Sequence, residues 1–146
     1  MTQKNKKQNR NVDFSAMPQQ VAEMVDFGPV ISQYSRAQAI EDGVLIDAGT
    51  LAQVVGFPFP VALTSTAWAA CIDGPNVGTQ LCEEERLLNT LLSLAVAAWH
   101  SSGDSVKFTS KILDVNGDVQ HVPLRALSGP GDDGRTVITV MLPHED

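Results

Sequence analysis

Apolar positions fall into regular order in this chain from Tyr34 onward. Ser35 followed three residues later by Gln38 has the form of a capping box, so a short helix is predicted there, continued by Ala37, Ala39 and Ile40. Gly43 supplies the left-handed residue that ends it. Val44, Leu45 and Ile46 form an unbroken apolar run, the pattern of a small strand covered on both faces, and Asp47 stops it. The same grammar recurs at Thr50, Gln53 and Gly56, which predicts a second capped helix over Leu51 to Val55. In Phe57-Pro58-Phe59-Pro60 each proline holds its predecessor in extended geometry, giving a rigid elbow. Within the alanine-rich stretch from Val61 to Ile72, Thr64 or Ser65 is suited to cap a helix that turns Trp68 inward.

The strongest helical signal follows the turn at residues 73–78. Thr79 is the expected cap, Glu83, Glu84 and Glu85 lie near the positive end, and apolar residues fill nearly every position from Leu87 to Trp99. Leu88, Leu92, Ala95 and Trp99 make one stripe, and Leu87, Leu91, Leu94 and Ala98 make another beside it. Two adjacent stripes predict a central helix covered over most of its circumference. Beyond Gly103 the period shortens to two. Val106 to Val115 and Asp118 to Leu127 flank Asn116-Gly117, which predicts a hairpin with a two-residue turn. That register groups Val106, Phe108, Ile112, Val119, His121 and Leu127 on one face, and Leu113, Val115, Val122, Leu124 and Ala126 on the other. Pro123 predicts a bulge or a break in the ladder. A flexible loop over residues 129–134 leads to a third strand, Thr136 to Leu142. The expected fold is α+β: short N-terminal helices and one long buried helix packed on a C-terminal three-stranded antiparallel sheet, with 44–46 as an added edge strand.

Outside this body, residues 1–11 read as a disordered basic tail and 12–30 as a poorly ordered arm, whose short helix over Pro18 to Val25 is broken at Phe27-Gly28-Pro29. Residues 31–146 read as a single domain. A hydrophobic fraction of 43% suits a chain of 146 residues that buries one core. The net charge of −7 hides an asymmetry, because Lys4, Lys6, Lys7 and Arg10 all precede Asn11. Residues 12–146 hold six basic against seventeen acidic side chains, about −11. An acidic body repels phosphate backbones, so direct nucleic-acid binding by the folded part is disfavoured. The run from Leu91 to Trp99 is too short to cross a bilayer and no apolar segment follows the basic start, which implies no membrane association and a cytoplasmic setting. Cys71 and Cys82 match no metal spacing and are expected as buried free thiols.

The chemistry-bearing residues are sparse. His100, His121 and His144 are scattered; His100 suits a helix C-terminus and His121 a half-buried position opposite Ile112. Arg36, Glu41, Asp42 and Asp47 cluster around the first helix and strand and could line a polar site, with Glu83 and Glu84 as a second acidic face. Structural roles compete for most of these, and no catalytic residue is assigned. No phosphate-binding glycine loop, serine elbow or paired metal-ligand motif occurs, and neither a cofactor nor a metal is expected.

The stretches S-R-A-Q-A-I-E-D-G-V-L-I-D-A at 35–48 and G-F-P-F-P-V-A-L-T-S-T-A-W at 56–68 resemble an uncharacterised family of small proteins carried on bacterial plasmids, phages and genomic islands. The resemblance extends from about Ile31 through the hairpin and implies a mobile-element setting without naming an activity. The reading favoured by charge and motif content is a non-enzymatic acidic interaction protein that binds a host or element-encoded protein to modulate defence or transfer. A small enzyme with a polar pocket near Arg36, Asp42 and Asp47 is the alternative, and a nucleic-acid mimic a further one.

Overall fold

The computed structural model describes residues 34–145. Contacts divide the chain between Ser35 and Arg36, and everything below concerns the second unit. The expected tail at 1–11 and arm at 12–30 lie outside the described residues.

The first elements follow the local signals, except that the short strand is half-exposed rather than covered on both faces and includes Asp47. α1 spans Arg36–Glu41. Gly43, at φ 79°, closes it with the paired bonds of a Schellman motif, Gly43 N–H to the Ile40 carbonyl at 3.2 Å and Val44 N–H to the Ala39 carbonyl at 2.9 Å. β1, Leu45–Asp47, and α2, Thr50–Val55, come next, and Gly56 ends α2 in the left-handed region as expected. The α2 N-cap is Gly49 rather than Thr50. The Asp47 carboxylate accepts the Gly49 amide at 2.9 Å, so an Asx turn, not a hydroxyl, fixes the helix entry.

The next stretch holds a strand that the sequence did not announce. Val61–Thr64 is that strand, β2, and Ser65–Cys71 is helical, as α3. Thr64 is its N-cap, accepting the Ala67 amide at 3.2 Å, as anticipated. The strand went unannounced for a physical reason: Val61, Ala62 and Leu63 are all buried, so it lacks the alternation that marks a half-exposed one. β2 joins β1 antiparallel and β5, Thr136–Met141, in parallel. With β3, Ser105–Leu113, and β4, Val119–Pro130, the sheet therefore has five strands in the order β1-β2-β5-β4-β3, and it is mixed rather than three-stranded and antiparallel.

The hairpin register is also shifted by one. Asp114 N–H donates to the Asp118 carbonyl and Gly117 N–H to the Asp114 carbonyl, so the loop holds Val115, Asn116 and Gly117, with Gly117 at φ 85°. This three-residue form carries a left-handed glycine at its end. Ile112 consequently faces Gln120 rather than His121, and Phe108 pairs with Leu124. Val106, Phe108 and Ile112 thus share a face with Val122, Leu124 and Ala126, while His121 is exposed beside Lys111. Pro123 causes no break. It pairs with Thr109, and β4 meets β5 only from Arg125 onward, so the proline sits where the strand has one neighbour.

α4, Glu83–Trp99, packs on β3, and α3 on β2, over a core that includes Leu63, Ile72, Leu91, Leu94, Leu124 and Val140. Inside it the Thr90 and Ser110 hydroxyls bond at 2.9 Å beside the Cys71 thiol. Thr139 alternates with Ile138 and Val140 and so points to the opposite face, where Arg36 reaches it. No helix among the described residues is long and apolar enough to cross a membrane.

Candidate functional site

Arg36 is the most constrained of the anticipated site residues. Its Nη1 donates to Thr139 Oγ1 at 2.7 Å and its Nη2 to the Ile138 carbonyl at 2.8 Å, which fastens the start of α1 to β5. Half-burial lowers its pKa, while the nearby carboxylates of Asp47 and Asp132 act in the opposite sense. Asp132, which the sequence reading passed over as part of a flexible loop, accepts the amides of Arg36 at 2.8 Å and Ala37 at 3.0 Å. Those two bonds and the Arg36 charge hold its carboxyl below the usual range. The available signal was an aspartate able to cap a helix distant in sequence, which no local pattern reveals.

Asp47 lies close enough to Arg36 to act on it, but its Oδ1 serves the Gly49 amide. Glu41 and Asp42 are exposed at the far end of α1. Glu83 and Glu84 are exposed in the first turn of α4, remote in sequence from this group. The Arg36 guanidinium is thus committed to main-chain and hydroxyl acceptors across the sheet, an arrangement that locks two elements together. Among the described residues no group of three or more His, Cys, Asp or Glu side chains could hold a metal ion.

The surface departs most from expectation along α4. Its N-cap is Cys82, not Thr79, and the Glu85 carboxylate accepts the Cys82 amide at 3.0 Å, which depresses the Glu85 pKa. Cys82 is an exposed thiol, so only Cys71 fits the expectation of burial. The stripe containing Leu87, Leu91 and Leu94 is buried on the sheet. The other stripe is only partly covered: Leu88 and Ala95 are half-buried, but Leu92 is 48% exposed and Trp99 86%, and Val96 beside them is 63% exposed. These residues recur at helical spacing on one side of a helix about 26 Å long. The carboxylates Glu84 and Glu85 stand at its N-terminal end, and Arg86 is turned away, its Nε donating to the Ile72 carbonyl at 2.5 Å and its Nη1 to the Leu81 carbonyl. The result is an apolar ridge, anionic at one end, with an indole at the other.

Comparison with curated proteins and with solved structures returned no match. The family comparison did: residues 21–146 match a family model, and the chain belongs to that family of unknown function, DUF6573.

Proposed function

We propose that this domain is a non-enzymatic protein-binding module and that the outer face of α4 is its docking surface. The observation that carries the reading is the exposure of Leu92, Val96 and Trp99 on consecutive turns of one helix. Isolated surface hydrophobes are ordinary, but a contiguous row ending in a nearly free tryptophan matches the anchors that dominate protein interfaces. The occupant we assign is an amphipathic helix of another protein, with its apolar face on the ridge and cationic side chains over Glu84 and Glu85. Charge complementarity supports that choice over a second copy, since each chain carries a net charge of −7. The setting we attach to it, a bacterial mobile element whose product acts on a host or element-encoded protein in the cytoplasm, rests on the resemblance of 35–48 and 56–68.

A photo-crosslinking amino acid at position 96 tests the assignment. Cross-links to a segment that is apolar on one face and basic at one end, lost on adding Leu92→Asp, are the expected outcome. Cross-links only between copies of this chain, or products unaffected by Leu92→Asp, would overturn it.

A further inference from the structure

β3 is an edge strand of nine residues, whereas β1 at the other edge has three. We infer that the open side of β3 takes up an extended acidic segment of another protein as a sixth strand of the sheet.

The hairpin bonds fix which backbone groups are open. Asp114 N–H donates to the Asp118 carbonyl and Ser128 N–H to the Asp104 carbonyl, so the even-numbered residues of β3 bond to β4 and the odd-numbered ones turn their backbone groups outward. Pro123, which has no N–H, falls opposite Thr109, as that alternation requires. Two outward carbonyls are already taken, Leu113 by the Gly78 amide at 2.8 Å and Lys111 by Asn89 Nδ2 at 2.5 Å. The amides of Ser105, Lys107, Thr109 and Lys111 and the carbonyls of the first three have no partner among the described residues. That row of alternating donors and acceptors is a template for one more strand.

The side chains choose the occupant. Lys107 and Lys111 are exposed on the sheet face opposite Ile112, with Thr109 between them, and on β4 the same face carries Arg125 opposite Lys107 and His121 opposite Lys111. Arg125 donates to the Glu145 carbonyl, which leaves the two lysines to meet a partner. They stand four residues apart, so an added strand with Asp or Glu at two positions four apart would form two cross-strand pairs. A second copy suits the edge less well, since it would bring two more lysines to the same face of the seam and another net charge of −7. A nucleic acid could meet the lysines, but it would set phosphates against the open carbonyls, and this face of β3 and β4 has no Phe, Tyr or Trp on which to stack a base.

Titration of the full chain with the end-blocked peptide Thr-Glu-Val-Thr-Val-Glu-Thr, followed by backbone amide shifts and hydrogen exchange, tests the inference. Expected are shifts centred on Lys107 and Thr109. The Ser105, Lys107, Thr109 and Lys111 amides, which exchange faster than those of Val106, Phe108 and Ser110 in the free protein, should slow on binding. N-methylation of the central threonine of the peptide should abolish binding, because it removes a ladder donor. Lys107→Glu/Lys111→Glu should weaken the peptide about tenfold or more, the scale of two cross-strand pairs, and should favour a peptide with lysine in place of both glutamates. Binding indifferent to N-methylation, tighter binding of oligothymidylate, or shifts centred elsewhere would each overturn the inference. So would an absence of binding, which would leave the lysines only the task of keeping the edge unpaired.

Discussion

Asp114 organises the hairpin loop through its side chain. Its Oδ1 accepts the amides of Asn116 at 2.8 Å and Asp118 at 3.0 Å, and its Oδ2 accepts Gln120 Nε2 at 2.8 Å. These contacts close the three-residue loop and thereby set which face of β4 meets the core. They also hold the Asp114 carboxyl below its ordinary range, with the Gln120 bond as the first cause. A depressed folded-state pKa means that the stabilisation is present above the unfolded value and lost as pH falls through the folded one. Asp114→Ala should therefore lower the urea midpoint at neutral pH, and the gap from the wild type should close on acidification; a gap constant with pH would contradict this account. The two thiols give a second test at this scale. Burial pushes Cys71 up to about 11, whereas Cys82 is exposed. A disulfide-exchange reagent at neutral pH should label one thiol of the native protein rapidly and the second only on unfolding.

At the scale of elements, what was legible followed from backbone chemistry, and what was missed depended on neighbours distant in sequence. Gly43, Gly56 and Thr64 each act within four residues, and the turns and caps they predicted are present. β2 was hidden because its burial comes from β1 on one side and β5 on the other, leaving no alternation to read. Asn116-Gly117 was read correctly as a hairpin turn but with the wrong loop length, because the deciding group was the Asp114 side chain. The Arg36 group was half legible: the residue stood out, but its acceptors lie about a hundred residues away. α4 is the clearest case, since two apolar stripes look alike in sequence and only packing separates them. Leu91→Ala should cost about 2–5 kcal/mol in chemical denaturation, as expected for a fully buried leucine, whereas Leu92→Ala should stay within about 0.5 kcal/mol. Equal losses at the two sites would mean that the helix is covered on both sides.

Taken whole, the molecule is an acidic α+β domain whose sheet is completed by a strand hidden in the middle of the sequence. One long helix lies over that sheet and turns Leu92, Val96 and Trp99 outward. A face that contributes nothing to the core is free to be selected for something else, and Trp99 at 86% exposure is hard to place otherwise. The measurement that tests this most directly is the dissociation constant between the domain and the partner cross-linked through position 96, compared for wild type and Leu92→Asp/Val96→Asp. The account predicts a loss of roughly 100-fold or more, the scale of interface anchors, with the unfolding midpoint unchanged. An affinity equal to that of wild type in a variant that remains folded would contradict it.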